Sequence, residues 1–296
     1  MSEETQTQGR HAYLLLCHDN IKQLCKLVSL LDYEYNDIFI HIDKKYKLSK
    51  DEKRSIELAV HKAQVNFIKS RKVSWGGDSL MKIEVSLLEN ATNNYHAYYH
   101  LLSGADLPLK PQKEIHRFFN NSGLDYIALE KQSPANLEKS FLDRFQYYYF
   151  FQNKVGRNNK VWKNRQRMLL KLQKRLRIDR TKSATFQYVK GSQWFSITHG
   201  TALYIIKSYK KYKKYFFHSL IPDESFVHSI INNSSLSSNV VDDNMRYFDW
   251  DRGSPYVFRL QDYEELINSG KMFARKFDER IDDTIIEMIY HRLSLQ

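Results

Sequence analysis

The sequence predicts an α/β fold: one domain, a sheet flanked by helices, with a basic helical lobe inserted into it. Three observations predict it. Short apolar runs alternate with stretches of helical periodicity over residues 11–130. The alternation then gives way to an aromatic and strongly cationic stretch at about 136–185. Strand and helix patterns resume at Gly191, and there is no internal repeat or Gly/Ser linker to mark a second domain. At 296 residues, 42% apolar and 14% aromatic, the chain can bury a substantial core and lacks the composition of a disordered protein.

Taken in order, residues 1–10 are polar and are expected to be disordered, which leaves 11–296 as the domain. HAYLLLCH at 11–18 is a buried strand, and Leu24, Leu27, Val28 and Leu31 repeat at helical spacing behind it. DIFIHID at 37–43 is a second strand ending in Asp43, residues 51–63 read as a helix, and 65–68 as a short third strand. Such alternation favours a parallel sheet that binds ligands at its C-terminal strand ends. In VSWGGDSL at 73–80 the two glycines let backbone approach closely, and Asp78 or Ser79 caps a helix running to about residue 93. That motif reads equally as an ordinary capped turn. HAYYHLL at 96–102 is a fourth strand, and Asp106 follows at the turn, either facing a ligand or stabilising the turn itself. A helix at 113–119 leads to DYIAL at 125–129, a fifth strand that delivers Glu130. After the insertion come a strand at 191–198, helices at 199–212, 261–269 and 282–293, and a tight MFARKFD segment at 272–278.

The net charge of +12 is concentrated between Lys154 and Lys182, where Asp179 is the only acid among many lysines and arginines, so the partner is anionic. Val161, Trp162, Met168, Leu169, Leu172 and Leu176 add an apolar stripe to that cationic helix. Such a helix lies on an anionic membrane surface or docks on its own domain. No nucleic-acid motif accompanies the aromatics, and no GxGxxG or P-loop pattern occurs. The two cysteines, Cys17 and Cys25, have no metal-ligand spacing and suit a reducing compartment. No apolar signal region or membrane-span-length run is seen, so the expectation is a cytoplasmic protein, peripheral at most on the inner face of the membrane.

The stretch IPDESF at 221–226 organises the rest. Pro222 suits the first turn of a helix, and Phe226, Val227, Ile230 and Ile231 follow at helical spacing, placing Asp223 and Glu224 in its opening turn. Alone, this reads as Asp223 capping the helix and Glu224 facing solvent.

The series of motifs resembles the core-2/I-branching β-1,6-N-acetylglucosaminyltransferases and peptide O-xylosyltransferases, glycosyltransferase family 14. The matching pieces are IHIDKK at 40–45, SWGGDSL at 74–80, YHLLSGADLPLK at 99–110, GSQWFSIT at 191–198, PDESF at 222–226, FDWDRGSP at 248–255 and FARKFD at 273–278. The resemblance implies a GT-A-like domain with a Rossmann-like mixed sheet, a UDP-sugar donor, inversion at the anomeric carbon, and no metal or other cofactor. It makes Glu224 the base and Arg275 and Lys276 the diphosphate contacts, with Arg252 and Ser254 as further donor-side candidates. Asp43, Trp75, Gly76, Gly77, Asp106, Gln193 and Trp194 would line the nucleotide sugar, Trp194 by stacking on the sugar face. Gln193 stands where xylosyltransferases carry an acid, which counts against xylose; the expected donor is UDP-GlcNAc, with UDP-xylose or another UDP-hexose as the alternative. Glu130, Arg144 and Tyr247 are acceptor-side candidates. Asp249-Trp250-Asp251 is formally a DxD, but it falls later in the chain than a metal-binding DxD would. Animal members are membrane-anchored and disulfide-linked; the expectation here is a bacterial relative building a surface glycan on a lipid-linked acceptor. The competing class is a non-catalytic polyanion-binding protein, against which the retention of Glu224, Arg275 and Lys276 together argues.

Overall fold

A computed structural model describes residues 9–130, 137–156 and 159–294. Residues 1–8, most of the stretch expected to be disordered, lie outside the described residues, as does 131–136 at the start of the insertion. Arg10 is described, and its Nε donates to Asp37 Oδ2 at 2.9 Å.

The elements run β1 (His11–Cys17), α1 (Ile21–Leu30), β2 (Asn36–Ile42), α2 (Lys50–Leu58), β3 (Gln64–Phe67), α3 (Ser79–Ala91), β4 (Tyr98–Ser103), β5 (Asp106–Pro108), α4 (Gln112–Ser122) and β6 (Asp125–Leu129). The inserted lobe supplies α5 (Leu137–Gln146), α6 (Gln152–Val155) and α7 (Lys160–Arg175). The chain closes with β7 (Gly191–Thr198), α8 (His199–Phe216), α9 (Phe226–Asn232), β8 (Val240–Val241), β9 (Arg246–Tyr247), α10 (Tyr263–Asn268), β10 (Phe273–Arg275) and α11 (Asp283–Ser294).

A seven-stranded sheet takes the order β3-β2-β1-β4-β7-β6-β8. β1 pairs parallel with β2 and β4, as alternation requires, whereas β7 runs antiparallel to both β4 and β6. The parallel sheet expected from the pattern is therefore mixed. The chain returns from the lobe to lay β7 beside β6 in the opposite direction. Alternate residues of β1 sort the core: Tyr13, Leu15 and Cys17 pack with α1, α4 and α11 on one face, and Ala12, Leu14 and Leu16 with α3, α8 and α9 on the other. A second sheet, β5-β10-β9, joins the end of the first half to the C-terminal segment.

The lobe is pinned by polar bonds. The buried Arg180 guanidinium donates to Lys214 O at 3.1 Å, Tyr215 O at 3.2 Å and Phe217 O at 2.8 Å, serving carbonyls left over at the end of α8. Gln166 and Gln173, the buried face of α7, bond the backbone of Tyr148 and Phe151.

Candidate active site

Pro222–Glu224 forms a single 3-10 turn, and α9 begins only at Phe226. Asp223 and Glu224 therefore precede the helix; they do not lie in its first turn. Ser225, at φ −142°, breaks the helical path, and its Oγ donates to Val189 O at 2.8 Å. Asp223 makes no capping bond: it is buried, and its Oδ1 has no hydrogen-bond partner.

The approach to this turn explains the glycine pair. Ile221, at a left-handed φ of 52°, donates its N–H to Gly76 O at 2.8 Å, and Leu220 N donates to Arg144 O at 3.0 Å. Gly76 has φ +71°, and a Cβ there would meet Gln152 Nε2 at 3.0 Å and the Ile221 side chain at 3.5 Å. A Cβ on Gly77 would fall 2.0 Å from Asn153 Oδ1. Asn153 Nδ2 in turn donates to Asp78 Oδ1 at 2.9 Å, and Lys82 Nζ lies 3.0 Å from Asp78 Oδ2. Asp78 thus ties the lobe to α3 and makes no cap bond of its own, while Ser79 Oγ accepts from Ser74 N at 2.8 Å. The glycines seat the lobe and the carboxylate turn against each other, and Trp75 beside them is exposed.

Arg144, on α5, reaches Glu224: Nη1 donates to Oε2 at 3.0 Å. Two further carboxyls feel charges near this turn. Burial, then the charge of Glu224, pushes Asp223 up to about 7. Burial, then the charge of Asp223, raises Glu84 well above the usual carboxylate range. Glu84 Oε1 accepts from Gln193 Nε2 at 2.6 Å, while Oε2 is unpartnered. Next along β7 is the buried Trp194, with the Arg275 guanidinium 4.5 Å from its ring centre. Arg275 Nη1 donates to Asp106 Oδ1 at 2.7 Å and also to Ser103 Oγ. The register sets this pair: Arg275 of β10 stands opposite Asp106 of β5. Asp106 further accepts from Ser103 N at 2.9 Å and Ser103 Oγ at 2.8 Å.

Near Arg275 a recess open to solvent is lined by His18, Asp19, Gly104, Lys276, Asp278 and Arg280, among others, and Arg280 is paired there with Asp19 at 3.1 Å and Asp278 at 2.8 Å. His18 follows β1 directly and Gly104 follows β4, so the recess opens where parallel strands end. Asp43, after β2, is buried; its Oδ1 accepts from Lys45 N at 2.9 Å and Val73 N at 3.3 Å.

Other residues singled out in the sequence form separate surface groups. Arg252 bonds Asp249, Asp262 and Glu265, and Tyr247 bonds Glu265, so both belong to a carboxylate cluster below a turn that contains Ser254. Glu130 is paired with Lys190 at 2.5 Å. Asp249 is thus held by an arginine, and Asp243 lies 2.5 Å from Lys271 Nζ. Among the described residues no three His, Cys, Asp or Glu side chains are grouped as metal donors, and no helix is long and apolar enough to cross a membrane.

Sequence reasoning missed Glu84, Ser103 and Arg246. Glu84 shares the spacing of Met81, Val85 and Leu88 on the buried face of α3, so an acid on an apolar stripe was the available signal. Arg246 is buried, and burial draws it down to about 9. Its guanidinium bonds Ser196 Oγ at 2.8 Å, Phe195 O at 2.6 Å and Leu101 O at 3.2 Å, clamping β4 to β7; no local pattern announces it.

Comparison with known proteins gives several matches. Xylosyltransferase 2 of Mus musculus is 26% identical over 310 residues, covering 95% of this chain and 33% of that protein. Xylosyltransferase 1 of Canis lupus familiaris is 25% identical over 314 residues, covering 96% and 30%. The chain thus spans about a third of the length of these relatives. Among solved structures, mouse xyloside xylosyltransferase 1 in its apo form superposes with a TM-score of 0.41 at 9% identity, over 90% of this chain and 96% of that one. Residues 11–267 match the family described as "Branch: Core-2/I-Branching enzyme". Over that span the chain belongs to the core-2/I-branching enzyme family of glycosyltransferases.

Proposed function

We propose that this protein is an inverting, metal-independent glycosyltransferase of GT-A-like architecture that moves a sugar from a UDP-sugar to a hydroxyl of a glycan acceptor. The observation that carries the reading is the Arg275 guanidinium held by Asp106 against Trp194 next to a recess at the C-terminal strand ends, with Glu224 held by Arg144 on its own turn.

In this reading the Glu224 carboxylate accepts the proton of the acceptor hydroxyl while its oxygen attacks the anomeric carbon. The bond from that carbon to the diphosphate oxygen breaks on the opposite face, and UDP departs with the electron pair. Arg275 and Lys276 meet the negative charge that develops, and fixed cations of this kind contribute on the order of a few kcal/mol where water is excluded. Asp106 and Ser103 hold Arg275 in place through Nη1. Arg144 holds Glu224 aimed until the acceptor arrives. The recess takes the diphosphate, Asp43 the nucleoside and Trp194 the sugar.

UDP-GlcNAc is the donor we favour, because Gln193 spends its amide on Glu84 and presents no carboxylate to the sugar. UDP-xylose is the second reading, supported by relatives named xylosyltransferases. A lipid-diphosphate-linked glycan of a bacterial surface polymer, met at the inner face of a membrane, is the acceptor class. A panel of UDP-sugars assayed for thermal stabilisation and slow hydrolysis in EDTA tests this. One UDP-sugar should raise the melting temperature and be turned over in EDTA; a strict requirement for Mn²⁺, or no response to any UDP-sugar, contradicts it.

A further inference from the structure

The α7 helix keeps two glutamines at its most buried positions and leaves an apolar strip on its outer side. Its buried positions are Gln166 and Gln173, both bonded to the backbone of the aromatic loop before α6. Trp162, Leu169 and Leu170 are partly buried, but four apolar side chains face away from the protein: Val161 is 61% exposed, Met168 75%, Leu172 51% and Leu176, at the C-cap, 63%. Spacings of seven, four and four residues put these on one side of the helix, a strip about 22 Å long at 1.5 Å per residue. Burying them on the domain would have been favourable, so the exposed strip calls for a partner.

The surrounding charge identifies that partner. Lys163, Arg165, Arg167, Lys171, Lys174 and Arg175 are exposed along the same helix, which contains no acidic residue. A twofold contact with a second copy would press two cationic faces together. A soluble polyanion would satisfy the cations and leave four aliphatic side chains in water. An anionic bilayer satisfies both, because the apolar strip enters the headgroup boundary while the long basic side chains reach the phosphates.

We propose that the outer face of α7, Val161-Met168-Leu172-Leu176 with its flanking cations, is a docking surface for an anionic lipid bilayer. It extends the peripheral-membrane part of the reading above and is scored without turnover, so either can fail alone. The full chain is sedimented with vesicles of phosphatidylglycerol and phosphatidylcholine, and with vesicles of phosphatidylcholine alone. It should bind the anionic vesicles at least about tenfold more tightly. The doubly substituted Met168→Asp/Leu172→Asp chain should lose about tenfold or more of that binding with an unchanged melting temperature, and Lys171→Glu/Arg175→Glu should lose it too. The proposal is overturned if the chain does not sediment with anionic vesicles, if it binds neutral vesicles as well, or if Met168→Asp/Leu172→Asp binds undiminished. It is also overturned if ultracentrifugation shows a dimer that this variant dissolves, which would assign the strip to a second copy.

Discussion

Glu84 and Asp223 are the residues at which the site stores its tension. Both are buried carboxyls with an oxygen left without a partner, and each is raised by burial first and then by a neighbouring charge. Asp223, held up to about 7, binds its proton more tightly folded than unfolded, so its contribution is complete below the ordinary carboxylate range and is lost as pH rises through about 7. Stability should therefore fall between about pH 4 and about pH 7, and Asp223→Asn should flatten that slope in urea midpoints measured across the range. An identical slope in the variant would show that Asp223 is ionised throughout. Lys276→Ala should weaken UDP about tenfold or more by calorimetry, the loss of one charge-assisted contact; unchanged affinity would remove Lys276 from the diphosphate site. At this scale the sequence was informative where a residue type breaks a rule in a short window, as in Pro222-Asp223-Glu224. It was silent on Arg246, whose partners sit on β4 and β7, far away in the chain.

The elements show the same division. β1, β2 and β4 are apolar runs buried along their whole length, and each was legible. β5, β9 and β10 span two or three residues, too short for any period, yet their pairing sets Arg275 against Asp106. α7 displays a helical stripe plainly, but not which way it faces: two buried glutamines and their four backbone bonds decide that. The WGG segment acts as a joint. Gly77→Ala would displace Asn153 from buried Asp78 and should cost about 1–3 kcal/mol in urea unfolding. Gly200→Ala, in α8 with open space around it, should instead stabilise by about 0.5–1 kcal/mol. Equal effects at the two glycines would remove the packing role assigned to Gly77.

Across the whole molecule, the order of the chain builds the proposed site from three distant parts. The first half ends its parallel strands at the recess, the lobe sends Arg144 back to the carboxylate turn, and the C-terminal segment returns through β10 to lay Arg275 on Trp194. Alternation revealed the first part and the motif series the third. The reversal of β7 depends on how the lobe returns the chain, which no window of sequence reports. The central claim is that Glu224 takes the acceptor proton in a site whose donor affinity is set elsewhere. Glu224→Gln keeps the shape of the side chain and removes the base, so the most direct measurement is its single-turnover rate beside its UDP affinity. The account predicts a fall of roughly 100-fold or more in transfer with UDP binding within about twofold of the parent. Near-normal transfer would contradict it.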